Sequence, residues 1–210
     1  MKQIIYFFSL LPLVTAGQKK DDIITLRVGY SSTNVNFKEA FEPSVNFFGR
    51  VFNTGKLLLG EGFELGVSKN IVTKMFIEIS FSTFSGRDTK LIVNNYKNYY
   101  TLKGFKAPVT INYLLRDTTK RLRINVGAGV QYSKNHLQQF ETISSNTGQM
   151  TNQIADINIS ELGFVLKPGV QFRIFPNLFA SFIVSASVSM NGRYSDSPCF
   201  SLKYTLRAKR

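Results

Sequence analysis

The stretch from Arg121 to Tyr132 alternates between apolar and polar positions without a break. A period of two is typical of a β-strand whose two faces meet different surroundings. The polar face carries small residues and one charge, rather than the Lys, Glu and Thr that usually face bulk water. We therefore predict a narrow, wet interior on that side and lipid on the other. The apolar positions are Leu122, Ile124, Val126, Ala128, Val130 and Tyr132, and the polar ones are Arg123, Asn125, Gly127, Gly129 and Gln131.

Seven further segments repeat this pattern, so the sequence predicts eight strands. In chain order they are Ile23–Ser31, Leu58–Val67, Thr73–Phe84, Tyr100–Leu115, Arg121–Tyr132, Leu162–Arg173, Leu178–Met190 and Cys199–Arg207. No later stretch is long and apolar enough for a spanning helix, so a membrane would have to be crossed by strands. The predicted fold class is all-β: an eight-stranded antiparallel transmembrane β-barrel with up-and-down meander connectivity.

The predicted connections alternate between long and short. Outer-membrane barrels have short periplasmic turns, longer external loops and both chain ends in the periplasm, so we expect the long connections at the cell surface. For the first long connection, both a short helix and a hairpin extension stay open. The long or medium connections are Thr33–Lys56, Ser85–Asn98, Ser133–Asp156 and Gly192–Pro198, and the short ones are Ser68–Val72, Arg116–Lys120 and Phe175–Asn177.

Prolines and aromatic residues add detail to the predicted strands. Pro108 and Pro168 fall inside strands, and since proline cannot donate to a ladder, we expect a bulge or local break at Pro108. Strand direction and parity together predict two aromatic girdles. The outer girdle would hold Tyr30 and Tyr132, and the inner one Tyr113, Phe172 and Tyr204.

The segment from Met1 to Ala16 has the order of a secretory signal peptide. Lys2 supplies the positive start, an apolar run follows, and Val14-Thr15-Ala16 fits the small-residue cleavage pattern. The run is well short of the roughly 20 apolar residues that a spanning helix needs. We therefore expect export with cleavage after Ala16, and a barrel domain over residues 17–210 in the cell outer membrane.

Charge and composition narrow the chemistry. The formal net charge is +13, with 26 Lys and Arg against 13 Asp and Glu. The basic residues are spread out rather than clustered in a run, so we expect outer-membrane lipid and lipopolysaccharide as partners, and no nucleic acid. Cys199 is the only cysteine and His136 the only histidine, which excludes an internal disulfide and makes a zinc cluster implausible. We predict no metal and no cofactor.

The order of these segments resembles the small outer-membrane β-barrel domain of Bacteroidota, the PorT-like group. The most specific parts are Ala107-Pro108-Val109 and the run from Asn125 to Gly129. The resemblance spans roughly the whole mature chain. It implies insertion by the barrel assembly machinery and a role as an accessory barrel of a protein secretion or gliding machine. Family members often end on an aromatic residue, where this chain has Leu206.

Charged residues on the polar faces would meet inside a barrel. The predicted lumen polar network consists of Arg27, Glu64, Glu78, Arg123, Lys167, Arg173 and Lys203. One interpretation is a buried ion-pair network with the excess bases near the barrel ends, and the other is an anion-conducting lumen. Because eight strands enclose a lumen that side chains just fill, we favour the network.

Two motifs could carry chemistry, and we interpret both as structural. His136 lies near Ser133 and Glu141, which would suit a Ser–His–acid hydrolase. No nucleophile motif supports that enzyme, so we favour a solvated loop histidine and predict no catalytic residue. The glycine-rich run Gly60–Gly66 has the wrong spacing for a dinucleotide fingerprint, and no helix pattern follows it.

Three functions follow from this pattern. The favoured one is a structural or surface-interaction barrel, not an enzyme, with the loops Thr33–Lys56 and Ser133–Asp156 contacting a protein partner. The second is the accessory barrel of a secretion or gliding machine. The third is an enzyme that modifies outer-membrane lipid. A secretion defect on deletion would indicate the second, and loss of lipid modification on His136→Ala the third.

Overall fold

The computed structural model describes residues 23–36, 57–72, 74–93, 96–115, 121–145 and 148–207. Each strand in these ranges pairs antiparallel with the next, and β1 pairs with β8 to close the ring. The predicted eight-stranded up-and-down barrel is therefore confirmed. No helix in the described ranges has the length and apolarity to cross a membrane. The strands are β1 Ile23–Asn36, β2 Leu57–Val72, β3 Met75–Val93, β4 Tyr96–Leu114, β5 Leu122–Ser145, β6 Gly148–Phe175, β7 Leu178–Ser189 and β8 Tyr194–Arg207.

The alternation places apolar side chains outside the barrel and polar ones inside it. On the outside, Val130 of β5 is 53% exposed and Phe164 of β6 is 66% exposed. On the inside, Asn125 of β5 is 2% exposed and Gln171 of β6 is 6% exposed. Because apolar surface in water is unfavourable, an exposed apolar belt around a polar interior indicates a barrel that is surrounded by lipid.

Aromatic side chains mark both ends of the belt. Tyr113 pairs with Met75 and Tyr204 pairs with Leu178, so both lie beside short turns at one end of the barrel, which we call the turn end. At the opposite end the rings of Phe81, Phe105 and Tyr132 form a cluster, with centroids 5.4 and 5.8 Å apart in that order. This aromatic cluster ends the apolar exterior on β3 to β5.

Four strands continue far beyond the aromatic cluster. β5 has 24 residues and β6 has 28, whereas a transmembrane strand needs roughly 9–11. Pairing of β2 with β3 ends at Glu61↔Ser85, and pairing of β6 with β7 begins only at Gly163↔Ser189. The excess therefore forms a sheet of its own. This projecting sheet comprises residues 85–93, 96–104, 133–145 and 148–161.

The projecting sheet corrects the largest error of the sequence prediction. The stretches Ser85–Asn98 and Ser133–Asp156 were expected to be polar loops, and they are mostly strand. In the first stretch β3 and β4 continue to pair as a hairpin, and in the second β5 and β6 do the same. The scarcity of apolar residues predicts loops here. The stretches form strands all the same, because their backbones pair while most of their side chains are polar and solvated by water.

Three other connections can be compared with their predictions. The turn predicted at Ser68–Val72 is wrong, because these residues belong to β2 and Val72 pairs with Met75, so the turn includes Lys74. The connection at Gly192–Pro198 is also shorter than predicted, since β8 already begins at Tyr194. The turn at Phe175–Asn177 is confirmed by β6 ending at Phe175 and β7 starting at Leu178.

Several predicted features lie partly or wholly outside the described residues. In the connection Thr33–Lys56, residues 33–36 belong to β1 and residues 37–56 are not described. The signal peptide Met1–Ala16 and the turn Arg116–Lys120 are also outside the described ranges.

Three prolines lie inside the described strands, Pro108, Pro168 and Pro198, and each interrupts pairing with one neighbouring strand without shifting register. β3 and β4 pair at Ile79↔Val109 and again at Ser82↔Lys106, which skips Pro108. β6 and β7 pair at Leu166↔Ala186 and again at Gly169↔Ile183, which skips Pro168. The alternative of a local break at Pro108 is therefore the right one, because a missing N–H removes one ladder bond without adding a residue.

Candidate functional site

Five of the seven predicted lumen residues meet in the middle of the barrel. Each is at most 5% exposed, and together they form what we call the lumen network: Arg27, Glu64, Glu78, Lys167 and Lys203. Arg27 Nη2 donates to Glu64 Oε1 and, at 2.9 Å, to Glu78 Oε1. Lys167 Nζ donates to the same two oxygens at 3.3 and 2.9 Å. Lys203 Nζ lies 3.6 Å from Glu78 Oε2.

The strand register explains why these charges meet. Inward parity places them on five different strands, and Arg27 pairs directly with Gly66. A Cβ at position 66 would lie 3.1 Å from Arg27 Nε, so glycine leaves the space that the guanidinium occupies. Charges taken out of water must be paired, and breaking such a pair is strongly destabilising. The lumen network therefore links five strands across the barrel.

Arg123 and Arg173 lie apart from the lumen network, closer to the turn end. Both guanidinium groups sit over the ring of Phe179, with Cζ 4.4 Å and 5.6 Å from its centroid, respectively. Such cation–π contacts are favourable for arginine where water is partly excluded. The structure thus places these two predicted residues at a second layer of the lumen.

Sequence reasoning missed Lys106 as a lumen residue, although the parity of β4 that turns Asn112 inward would have found it. Lys106 is 3% exposed, donates to Ser197 Oγ at 2.8 Å and lies 5.7 Å from the Phe84 ring centroid. Asn112 is 2% exposed and pairs with Gly127, where a Cβ would approach its Oδ1 to 2.1 Å. These residues fill the space around the network, as expected for eight strands.

An apolar cluster lies where the lumen opens toward the projecting sheet. It occupies the inward face of the strands, the same parity that carries charge deeper in the barrel. Its buried members are Val35, Phe84, Tyr100, Leu102 and Leu137, and Ala155, Ile157 and Ile159 pack against them half-buried. This hydrophobic core is therefore shared between the inward face of the projecting sheet and the end of the barrel, which contributes Val35 and Phe84.

His136 lies on the outward face of the projecting sheet. Its Nε2 is 2.7 Å from Asp156 Oδ1, and Gln138 and Gln153 donate to Asp156 Oδ2 at 3.2 and 2.9 Å. These hydrogen bonds, that of His136 first, lower the pKa of the Asp156 carboxyl below its usual value.

The contacts of His136 do not support a hydrolase. Ser133 is inward and buried, whereas His136 is on the opposite face, so the two side chains diverge. The acid partner of His136 is Asp156 and not Glu141. In the part of the chain that the structure describes, no group of three His, Cys, Asp or Glu side chains is arranged to hold a metal.

The projecting part of β6 has a free edge. Its residues 149–161 pair with β5 on one side, and no described strand pairs with them on the other. This stretch contains no Lys, Arg or Pro, the residues that commonly protect edge strands. The register with β5 shifts once, where Gln139 pairs with Ala155 and Phe140 with Gln153, so Ile154 of β6 is the bulged residue. Residues 155–160 pair without a further shift. A long, weakly charged edge of this kind is a template for adding another strand.

Comparisons with known proteins agree with this fold. The outer membrane protein OprG from Pseudomonas aeruginosa has a TM-score of 0.57 and 11% identity, over 91% of this chain and 99% of that one. The attachment invasion locus protein Ail of Yersinia pestis, solved with the heparin analogue sucrose octasulfate, has a TM-score of 0.54 and 13% identity, over 89% and 99%. The N-terminal β-barrel domain of Pseudomonas aeruginosa OprF has a TM-score of 0.50 and 10% identity, over 90% and 100%.

Sequence comparisons add no family. No protein-family model matches the chain, and no curated protein matches it either. At identities of 10–13%, the solved structures establish the fold alone, that of small outer-membrane barrels. Any function therefore has to be argued from the site itself.

Proposed function

We propose that this chain is an outer-membrane β-barrel with a surface-interaction role, and that its projecting sheet binds extended segments of partner proteins. The observation that carries the proposal is the free edge of β6 at residues 149–161. Strand addition to such an edge supplies main-chain hydrogen bonds for affinity and side-chain alternation for specificity.

The chemistry of the edge defines the partner segment. Ile157 and Ile159 are half-buried on the inward face, and Asn158 and Ser160 are exposed on the outward face. An added strand would continue both faces, because side chains of neighbouring strands lie side by side. The fitting partner is an extended segment whose residues alternate between apolar and polar.

The filled lumen supports an interaction role over transport. Arg27 and Lys167 both contact the two carboxylates, Glu64 and Glu78, and all four side chains are buried. Moving a hydrated ion past this layer would require breaking several buried ion pairs at once. We therefore expect no stable conductance from the barrel in a planar bilayer.

The proposal places the projecting sheet outside the cell and the turn end in the periplasm. Cysteines introduced at Asn158 and at Lys74, both exposed, test this with a membrane-impermeant maleimide on intact cells. Native Cys199 is 1% exposed and should stay unlabelled. We expect labelling at 158 and none at 74, whereas the reverse pattern would overturn the orientation. N-terminal sequencing of the purified protein would test cleavage after Ala16.

Contact at the edge is tested by photo-crosslinking in cells. A photoreactive amino acid at Asn158 lies on the free edge strand, and one at Thr101 lies on β4, which is paired on both sides. We expect a discrete protein adduct from position 158 and none from 101. Equal adducts from both positions, or none from 158, would contradict strand addition.

A proline scan sharpens this test. Successive N–H groups of an edge strand point alternately to its neighbour and to the free side. Of Ile159→Pro and Ser160→Pro, each combined with the photoreactive residue at 158, one therefore removes only a free donor. That variant should fold and lose the adduct, while the other should disturb the pairing of β5 with β6.

A second candidate is the accessory barrel of a secretion or gliding machine. It is favoured by the resemblance of Ala107-Pro108-Val109 and Asn125–Gly129 to the PorT-like group. In that case the partner at the β6 edge would be a component of the machine, and insertion would use the barrel assembly machinery. A protein-secretion defect in a deletion strain, restored by the wild-type chain and not by the edge proline variant, would favour this candidate.

A further inference from the structure

The outward face of the projecting sheet carries a row of cations on three adjacent strands. This basic row consists of Arg87 of β3, Lys103 of β4 and Lys134 of β5, all exposed. Arg87 pairs with Thr101 and Lys103 pairs with His136, so each cation is the diagonal neighbour of the next. Diagonal neighbours are roughly 7–8 Å apart, close enough for long side chains to contact one bound group.

The basic row lies directly beyond the apolar belt. Lys134 pairs with Phe105, a member of the aromatic cluster, whose rings are 5.4 and 5.8 Å apart. On the turn side of the cluster, outward positions such as Ile79 and Val109 are apolar and exposed. Aromatic clusters of this kind mark the boundary between hydrocarbon and head groups. The three cations are therefore at the depth of lipid head groups.

A stacked pair of aromatic rings continues the surface away from the membrane. Tyr99 and Phe140 stack with centroids 5.1 Å apart, at an interplanar angle of 18°. The Arg87 guanidinium lies 3.9 Å from the Tyr99 ring centroid, and Lys97 Nζ lies 5.9 Å from it. Flat apolar rings flanked by cations suit a ligand that combines sugar rings with phosphate groups.

Acidic side chains only partly neutralise the positive charge of this surface. Asp156 is occupied by hydrogen bonds with His136, Gln138 and Gln153. Glu61 of β2 pairs with Ser85 and is the other exposed acid beside the row among the side chains that the structure describes. Four cations, Arg87, Lys97, Lys103 and Lys134, thus share the face with two carboxylates. The excess positive charge favours an anionic ligand.

We propose that the basic row binds the phosphate groups of lipopolysaccharide in the outer leaflet, with Tyr99 and Phe140 packing on its sugars. Lysine and arginine both bind phosphate through charge-assisted hydrogen bonds. Binding would fix the projecting sheet against the membrane surface. The inference rests on the proposed outer-membrane location but not on protein binding at the β6 edge, which is a different surface.

The test measures lipid binding to the purified full barrel by native mass spectrometry. The probes are phosphorylated lipid A, the same lipid after phosphatase treatment, and phosphatidylglycerol. We expect retention of phosphorylated lipid A and at least tenfold weaker retention of the other two. Equal retention of all three lipids would overturn the proposal, because the surface would then select neither phosphate nor glycolipid.

Charge-matched variants assign the binding to the row. Lys103→Gln with Lys134→Gln removes two charges from the basic row, and Lys74→Gln with Arg121→Gln removes two exposed charges near the turn end. Since a basic residue near an anionic surface contributes about fivefold to affinity, the row variant should bind phosphorylated lipid A roughly thirtyfold more weakly. The turn-end variant, and Lys103→Arg with Lys134→Arg, should bind as the wild type does.

The possible outcomes separate lipid binding at the basic row from bulk charge and from protein binding at the β6 edge. Equal weakening by the row and turn-end variants would reduce the effect to bulk charge and overturn the proposal. The wild-type comparison of phosphorylated with phosphatase-treated lipid A still tests it if the row variant does not fold. Protein crosslinking at position 158 that persists without lipid A binding would refute this inference alone. Loss of the crosslink with lipid A binding intact would refute only the edge proposal.

Discussion

The same strands have opposite polarity inside the barrel and in the projecting sheet. In the barrel part of β5, outward Val130 is apolar and exposed while inward Asn125 is polar and buried. In the projecting part, inward Leu137 is apolar and fully buried, while outward Gln138 is polar and hydrogen-bonded to Asp156. The parity never changes along the strand, but the solvent of the outward face does. The polarity of a face therefore indicates whether lipid, water or protein surrounds it, whereas the period of two alone indicates that the segment is a strand.

The two regions also differ in how they handle charge. The barrel buries Glu78 among three cations, whereas the projecting sheet leaves Asp156 exposed in a small hydrogen-bonded group. Buried pairs are costly to break, and exposed pairs contribute little. This contrast ranks the substitutions that follow.

The largest effect is expected from Glu78→Gln in the lumen network. The change leaves Arg27, Lys167 and Lys203 buried with one carboxylate, Glu64. Breaking a buried pair in this way costs about 3–5 kcal/mol, so we expect a loss of that size in the free energy of unfolding in urea. A loss below about 1 kcal/mol would show that water or rearrangement compensates the buried cations.

The next effect is expected from Leu137→Ala in the core of the projecting sheet. Leu137 has 0% exposure, and removing a fully buried leucine side chain costs about 2–5 kcal/mol. Because the cluster lies at the end of the lumen, away from the lumen network, we expect faster proteolysis within residues 133–161 while the barrel keeps its heat-modifiable shift on a denaturing gel. Gln138→Ala, on the opposite face, is the control and should change neither. Loss of the gel shift in Leu137→Ala would mean that the two regions fold as one unit.

A pair of arginine substitutions on the outward face of β5 tests directly whether that face passes from lipid to water along the strand. Val130→Arg would place a charge in the apolar belt, where it costs roughly 2–4 kcal/mol near the middle of the bilayer. Gln138→Arg, on the same face beyond the belt, should alter stability by no more than about 0.5 kcal/mol. Folding yields in lipid vesicles give the comparison. Similar yields for both variants would place the belt elsewhere.

The smallest effect is expected from Asp156→Asn. Asp156 is exposed, but its pKa is lowered by the hydrogen bonds of His136, Gln138 and Gln153. A carboxyl with a lowered pKa stabilises the folded state above its unfolded pKa and loses that contribution as pH falls through its folded pKa. We therefore expect a slight loss of stability of the projecting sheet at acid pH in the wild type and none in Asp156→Asn. Amide chemical shifts recorded against pH would measure it. A wild-type titration at the usual Asp value would contradict these hydrogen bonds.

The barrel could be predicted from sequence because lipid imposes one polarity on every strand. Alternation over Leu122–Tyr132 and Leu162–Arg173 gave both the strands and their outward faces, and the inward charges followed from parity. Which of those charges meet could not be predicted, since Arg123 and Arg173 share the parity of Lys167 but lie at a different depth. Depth depends on strand stagger, which no single segment encodes.

The projecting sheet could not be predicted because its apolar positions are too sparse. Between Ser133 and Asp156, Leu137 is the one fully buried apolar residue of β5, and its partner Ile157 comes from the next strand. Most other positions are Asn, Gln, Ser and Thr, a composition that single-sequence reasoning assigns to loops. Tertiary pairing overrides that local preference, as is common for strands.

Residue-resolved amide hydrogen exchange of the protein in lipid nanodiscs tests the central claim, a sheet that leaves the membrane with its β6 edge free. We expect protection along β5 from Leu122 through at least Leu137, and alternating protected and unprotected amides over residues 155–160 of β6, because only every second N–H faces β5. Uniformly fast exchange from 133 to 161 would show a loop in place of the sheet. Uniform protection over 155–160 would show an edge that is already covered, and would contradict its role as a contact surface.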